Sequence, residues 1–177
     1  LNLVVNPLPV PSVTGVNQFC QGSNSNLNAG AGFSSYLWST GATTQIINVS
    51  TSANYIVTVT DNNGCSASAN SVVAVQPNPT PAITGGTGIC QGTSTSLNVP
   101  GSYASYLWST GATSAAITVS AAGNYAVTVT SAFGCSGTNS TTMVINPLPT
   151  PVITGTTAIC QGTTTTFDAG GGYSSYL

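Results

Sequence analysis

The same pattern of residues recurs along this chain at an interval of 70 residues. A fixed period of this length indicates tandem copies of one small folding unit, each with the same strands and turns. The residues that keep this spacing are cysteines, aromatic residues and prolines: Cys20, Cys90 and Cys160; Cys65 and Cys135; Trp38 and Trp108; Tyr55 and Tyr125; and Pro7, Pro9, Pro77, Pro79, Pro147 and Pro149.

The period divides the chain into two complete copies and two partial ones. The complete copies, residues 11–80 and 81–150, align with each other without a gap. Residues 1–10 match the end of a copy, and residues 151–177 match the start of a further, truncated copy. We therefore expect these residues to be a slice of a longer array of modules.

Charged residues make up 1% of the chain, and it has no Lys, Arg or His. Ordinary soluble domains have about 25% charged residues. Without cationic side chains the chain has nothing to hold phosphates, so we predict no nucleic-acid partner. Its apolar runs are far shorter than the roughly 20 residues needed to cross a bilayer, so we predict no direct membrane insertion.

The chain also lacks the residues that catalysis needs. General acid–base chemistry uses His, Lys or a tuned pair of carboxylates, and the two acidic residues, Asp61 and Asp168, occupy unmatched positions in different copies. Calcium needs several oxygen ligands with carboxylates among them. The sequence therefore predicts no enzyme, no cofactor and no metal site.

Short alternating segments predict an all-β fold. Tyr55, Val57 and Val59 persist in the second copy at a period of two, which places them on the buried face of a strand. Leu27, Leu97 and Phe167 hold one inward position in all three copies. No segment has helical spacing over helical length, so we predict tandem small immunoglobulin-like β-sandwich modules of about 70 residues. The strand candidates in the first copy are Ser12–Thr14, Ser25–Ala29, Ser35–Trp38, Thr44–Val49, Tyr55–Thr60 and Ser66–Val75.

Each complete copy contains two cysteines 45 positions apart. One pair per module with no His and no acidic cluster indicates a disulfide and not a metal site. We predict the bonds Cys20–Cys65 and Cys90–Cys135, with the partner of Cys160 outside this sequence. Such bonds place the protein in an oxidising, extracellular compartment.

Several aromatic residues recur at fixed positions. Trp38 and Trp108 lie on the third strand and are predicted to be core residues. Tyr55 and Tyr125 are either corner tyrosines that bond nearby backbone or core aromatics with a solvated tip. A further aromatic position precedes the tryptophan strand, and we expect it to cover one end of the core, the alternative being a glycan-stacking residue: Phe33, Tyr103 and Tyr173.

Prolines mark the connection between copies. Proline fixes φ and restricts its predecessor to extended conformations. The connectors at residues 6–11, 76–81 and 146–151 are therefore predicted to be short and stiff, so that modules stack end to end as a rod.

These residues resemble a known group of repeats. The shared motifs are Cys-Gln-Gly at 20–22, 90–92 and 160–162, Tyr-Leu-Trp-Ser-Thr-Gly-Ala-Thr at 36–43 and 106–113, Asn-Tyr-x-Val-Thr-Val-Thr at 54–60 and 124–130, and Gly-Cys-Ser at 64–66 and 134–136. They are similar to the immunoglobulin-like (PKD-like) tandem repeats of giant Bacteroidota cell-surface proteins, some of them gliding-motility adhesins. The resemblance implies export by type IX secretion and a location on the bacterial cell surface.

The leading hypothesis from the sequence is a structural stalk of a large extracellular adhesin or surface filament. Four alternatives or additions stay open. In the first, the modules themselves bind glycans or surfaces weakly and gain avidity by repetition. In the second, a short subunit polymerises non-covalently by donating a strand. In the third, the segment is a spacer in a secreted enzyme. In the fourth, chains associate laterally or end to end, because the strand edges carry no Lys or Glu.

Overall fold

The computed structural model describes residues 2–176, and its strands repeat with the sequence period. We call the copy at residues 11–80 module 1 and the copy at residues 81–150 module 2. The strands of module 1 are β1 (Gln18–Cys20), β2 (Ser25–Asn28), β3 (Ser35–Trp38), β4 (Ile46–Val49), β5 (Ala53–Thr60) and β6 (Ser66–Gln76). Those of module 2 are β7 (Gly88–Cys90), β8 (Thr95–Asn98), β9 (Ser105–Trp108), β10 (Ala116–Val119), β11 (Gly123–Thr130) and β12 (Ser136–Asn146).

Each module consists of two sheets with one core between them. In module 1 a four-stranded sheet has the order β1-β6-β5-β3, and β2 pairs with β4 in the second sheet. Module 2 repeats this arrangement with β7-β12-β11-β9 and with β8 paired to β10. The predicted fold class, tandem immunoglobulin-like β-sandwiches with no helix among residues 2–176, is confirmed.

The alternation of side chains explains which face of each strand is buried. Tyr55, Val57 and Val59 face the core from β5, as the period-two pattern predicted, whereas Ile56 between them is exposed. Such side chains each contribute about 1.5–3 kcal/mol when fully buried. The core of module 1 draws on both sheets: Leu27, Ala29, Trp38, Ile47, Val49, Tyr55, Val57, Val59 and Val73.

The longest strand of each module runs along its whole length. Strand β6 and its counterpart β12 have 11 residues each, which corresponds to about 36 Å at roughly 3.3 Å per residue. This strand gives every module two ends. We call the end at which β6 or β12 begins the near end, and the end at which it finishes the far end.

The short strand β1 was not predicted from the sequence. It pairs in parallel with the last residues of β6, so that Cys20 lies beside Gln76 at the far end. Its counterpart β7 likewise places Cys90 beside Asn146. The predicted first strand, Ser12–Thr14, is reduced to one bridge between Thr14 and Asn28.

The third copy differs from the other two within the part that the structure describes. Residues 151–176 contain one bridge, Thr154 with Asp168, and no named strand. Phe167 was expected to face inward like Leu27 and Leu97, but it is 61% exposed. The reason is that residues 151–176 have no counterparts of β4, β5 and β6, the strands that complete the core around Leu27 in module 1.

Candidate functional site

The junction between the two modules contains the one disulfide that the described residues form. Cys20, at the far end of module 1, is bonded to Cys135, at the near end of module 2. Their Cα atoms are 5.5 Å apart, which lies in the middle of the range for disulfides. The bond therefore joins one module to the next.

This pairing corrects the sequence prediction of Cys20–Cys65 and Cys90–Cys135. Cys65 directly precedes β6, whereas Cys20 lies beside Gln76, the last residue of that strand. Eleven residues of extended strand separate the two positions by about 36 Å, while bonded cysteines have Cα atoms within about 7 Å. The same geometry separates Cys90 from Cys135 in module 2.

A tight turn places the second cysteine of each module at the near end. In module 2 the backbone N–H of Gly134 donates to the carbonyl of Ser131, and the N–H of Ser131 donates to the carbonyl of Cys135. Gly134 has φ +82°, a conformation that favours glycine. In module 1 the Asp61 carboxylate accepts the N–H of Cys65 at 2.9 Å in the corresponding turn.

The proline connector packs directly against module 2. Asn139 in β12 donates from Nδ2 to the carbonyl oxygen of Pro81 at 2.9 Å. A Cβ atom at Gly137 would collide with the carbonyl of Pro79, so only glycine allows the connector to approach the strand this closely. On the other side, Asn78 donates from Nδ2 to the carbonyl of Gln21 at 3.1 Å. Hydrogen bonds and close packing of the connector are thus present at the junction in addition to the disulfide.

Both bonded cysteines are more buried than their counterparts outside the junction. Cys135 is 1% exposed, whereas its counterpart Cys65 is half-buried. Cys20 is half-buried, whereas Cys90 is exposed. Among the predicted connector prolines, Pro9 and Pro79 are half-buried, and the other four are exposed: Pro7, Pro77, Pro147 and Pro149. The two cysteines thus become less exposed where the modules meet.

The predicted structural aromatics have defined partners. Trp38 and Trp108 are buried in the two cores, and each Nε1–H donates to a backbone carbonyl six residues on, at 2.8 and 2.9 Å. The Tyr55 hydroxyl donates to the carbonyl of Thr51 at 3.1 Å, and that of Tyr125 donates to the carbonyl of Ala121 at 3.0 Å. Both tyrosines therefore combine an apolar ring with a backbone contact four residues upstream.

In modules 1 and 2, the aromatic residue just before the tryptophan strand packs against the core. Phe33 is half-buried and packs against the core of module 1, and its ring meets Tyr36 edge to face at 5.9 Å between centroids. Tyr103 does the same with Tyr106 at 5.7 Å in module 2. In the third copy, Tyr173 meets Tyr176 at 5.8 Å. Each of these three aromatic residues thus packs edge to face against the tyrosine three residues further along the chain.

The two carboxylates serve local turns. Asp61 accepts backbone N–H groups from Asn63 and Cys65, and Asp168 accepts the N–H of Gly170 at 2.8 Å. Within residues 2–176, no three His, Cys, Asp or Glu side chains gather in a way that would hold a metal ion. The same range contains no helix long and apolar enough to cross a membrane.

Comparison with known proteins gives structural likeness only. No family model and no curated protein sequence matches this chain. Among solved structures, an adhesin of an Antarctic bacterium, described as Ca²⁺-stabilised and as helping that bacterium reach out and bind ice, is 14% identical with a TM-score of 0.47. The match covers 85% of this chain and 52% of that one, so this chain spans about half the length of that solved chain.

Two further structures are similar over most of this chain. Part of a 1.5-MDa bacterial ice-binding adhesin is 14% identical with a TM-score of 0.38, over 85% of this chain and 69% of that one. Murine CEACAM1b is 14% identical with a TM-score of 0.38, over 77% of this chain and 100% of that one. These values carry no information about what this chain binds.

Proposed function

We propose that this chain is a segment of the structural stalk of a large extracellular adhesin or surface filament. In this proposal the tandem modules give reach and stiffness, and they project a binding region away from the cell. The observation that carries the proposal is the junction, where a disulfide and the Pro79–Gly137 contact join consecutive modules. Two further hydrogen bonds, from Asn78 to Gln21 and from Asn139 to Pro81, fix the connector to the module on each side.

An extracellular location is supported by the same bond. Disulfides persist in oxidising compartments and are rare in the cytosol. The resemblance of the repeat motifs to those of giant Bacteroidota surface proteins extends the proposal to the bacterial cell surface and to export by type IX secretion.

The surface of the modules is consistent with a shaft. The absence of Lys, Arg and His leaves no positive charge to attract anionic surfaces. The edge strands β3 and β9 carry exposed leucines, Leu37 at 56% and Leu107 at 55%. We include lateral association of shafts through these uncharged edges in the proposal, because unprotected edges favour pairing.

Residual dipolar couplings measured on the whole chain test the stalk. A stalk requires the two modules to keep one relative orientation, so we expect a single alignment tensor to fit the amides of module 1 and module 2 together. Cys20→Ser serves as the comparison that removes the covalent tie. Two tensors of different size in the oxidised chain would contradict the proposal, and so would saturable binding of the chain to oligosaccharides on a glycan array.

A further inference from the structure

We propose that Cys65 and Cys90 each form one half of a cross-module disulfide whose other half belongs to a neighbouring copy of the same module. In a longer array, the first cysteine of every module would then bond to the second cysteine of the module that follows. The proposal rests on the tandem array described under the proposed function, and it specifies how the modules of that array are joined.

The two thiols lie at opposite ends of the pair of modules. Cys65 lies at the near end of module 1, and Cys90 lies beside Asn146 at the far end of module 2. Each therefore sits at an outer end of the pair of modules. Neither is bonded in the described structure, and strand geometry separates each by about 36 Å from the other cysteine of its own module.

The equivalent residues of Cys65 and Cys90 already form such a bond within this chain. By the 70-residue period, Cys90 corresponds to Cys20 and Cys65 corresponds to Cys135. Those two counterparts are bonded to each other across the junction inside this chain. At the junction between modules 1 and 2, these two sequence positions thus already form the cross-module disulfide that we propose for Cys65 and Cys90.

Burial also distinguishes the bonded cysteines from their counterparts. Cys135 is 1% exposed whereas Cys65 is half-buried, and Cys20 is half-buried whereas Cys90 is exposed. The connector position Pro81 is buried against module 2, whereas its counterpart Pro11 is half-buried. A neighbouring module docked in the same way would cover these positions and bring the second sulfur within reach.

The two outer ends differ in how closely a neighbouring module can approach. Gly137 allows the close approach of Pro79, but its counterpart in module 1 is Ala67. A preceding module therefore docks on Cys65 with a wider gap than the junction described here. We expect the bond at Cys65 to form more slowly than a bond at a junction that contains glycine.

The chemistry is an ordinary thiol oxidation. Two Sγ–H groups lose two protons and two electrons as the S–S bond forms, and the electrons reduce an oxidised thiol compound such as glutathione disulfide to two thiols.

The test uses the whole chain extended after Leu177 by a second copy of Trp108–Thr150, which completes the third module because Leu177 corresponds to Leu107. The added copy carries Thr138→Ser, the residue found at the equivalent Ser68, so that its peptide differs in mass. After oxidation with glutathione disulfide, alkylation and non-reducing digestion, linked peptides are identified by mass spectrometry. A protease that cuts on the amino side of aliphatic and aromatic residues, such as thermolysin, is needed, since the chain has no Lys or Arg and no aromatic residue separates Cys65 from Cys90.

We expect close to one bond per chain between Cys90 and the added copy of Cys135, beside the Cys20–Cys135 bond. Cys65 and Cys160 are expected to be alkylated as thiols. A bond between Cys160 and the added copy of Cys135 would overturn the proposal, because it would be a bond within one module. A Cys90 that stays a thiol while Cys20–Cys135 forms would also overturn it.

A second chain covers the case in which the added module fails to fold. It carries a copy of Pro11–Asn70 before Leu1, which completes a preceding module, and the bond expected is between the added copy of Cys20 and Cys65. Absence of that bond, with Cys20–Cys135 intact, overturns the proposal. The dipolar couplings of modules 1 and 2 in the same samples separate this outcome from failure of the stalk, because a single alignment tensor without the outer bonds leaves the stalk standing.

Discussion

Replacing Cys20 with serine should lower the stability of both modules. The bond to Cys135 has a sequence separation of 115. If one module unfolds while the other stays folded, the flexible part of the loop is shorter. For module 2 it runs from Gln76, which is held beside Cys20, to Cys135, or about 60 residues. The chain-entropy model then gives about 4 kcal/mol, and about 5 kcal/mol if both modules unfold together.

Module 1 gains a similar amount. With module 2 folded, Cys135 is held close to the connector at Pro79, so the flexible part runs from Cys20 to Pro79 and again contains about 60 residues. A single bond therefore stabilises two folding units. For modules of about 70 residues, each of which buries a small core, about 4 kcal/mol is a large share of the free energy of unfolding.

Guanidinium chloride unfolding of the oxidised chain measures this effect. Tryptophan fluorescence reports on both modules, since Trp38 and Trp108 are each buried in one core. At a slope of about 2 kcal/mol per M, the midpoint of Cys20→Ser should fall by about 2 M. The matched control is Cys90→Ser, which changes the equivalent but unbonded residue and should stay within about 0.5 kcal/mol. If the two variants lose the same stability, the reasoning is refuted.

Three further changes test the junction, the core and the electrostatics. Gly137→Ala should push Pro79 away from β12 and make reduction of the Cys20–Cys135 bond by dithiothreitol several-fold faster, whereas Ala67→Gly in module 1 should leave that rate unchanged; equal rates would show that the close approach is unimportant. Trp108→Ala should cost module 2 about 3–5 kcal/mol in denaturant titrations, and Leu107→Ala, at an exposed neighbour, less than about 0.5 kcal/mol. Raising NaCl from roughly 0.05 to 0.5 M shortens the Debye length severalfold, yet it should change the unfolding free energy by less than about 0.5 kcal/mol, because a chain without Lys, Arg or His has no side-chain ion pairs to screen.

The sheets were predictable from the sequence because their evidence lies within a few neighbouring residues. Tyr55, Val57 and Val59 alternate with polar or variable positions, and a strand has a period of two whatever packs against it. The strand positions of Trp38 and Trp108 followed from the same local pattern. Comparing the two copies strengthened the prediction for this strand, since the exposed Ile56 becomes Ala126 whereas Tyr55, Val57 and Val59 persist as Tyr125, Val127 and Val129.

The disulfide was not predictable in the same way, because pairing depends on where the ends of strands lie in space. The strand that starts after Cys65 was recognised, but the three residues of β1 were too few to show a period. The available signal was the apolar residue before the first cysteine, Phe19 or Ile89, which packs against the core. A strand β1 positioned beside the end of β6 puts the first cysteine about 36 Å from the second cysteine of its own module. That distance excludes a bond within one module.

The role of Gly137 was not predictable from the sequence for a related reason. The two copies differ at this position, with Ala67 in module 1, and such a difference does not by itself indicate a contact. Its significance appears only when the carbonyl of Pro79 is seen against the strand. Contacts between modules leave weak signals in one sequence, since each involves residues that are distant along the chain.

The position of the disulfide also determines how far the chain can be stretched. The shortest covalent route through both modules passes from Pro11 to Cys20, across the bond, and from Cys135 to Asn146. About 22 residues reach at most about 80 Å, and two stacked modules of about 36 Å already occupy most of that length.

Residues 21–134 lie inside the closed loop, so their unfolding under tension adds no length between Pro11 and Asn146. We therefore expect single-molecule pulling on these two positions to show no unfolding step in the oxidised chain. Under a reducing agent, the released loop should lengthen the molecule by on the order of 300–400 Å; a step of that size without reductant would contradict the route. The redox state of one bond, and not the stability of the sandwiches, thus sets the extensibility of this segment.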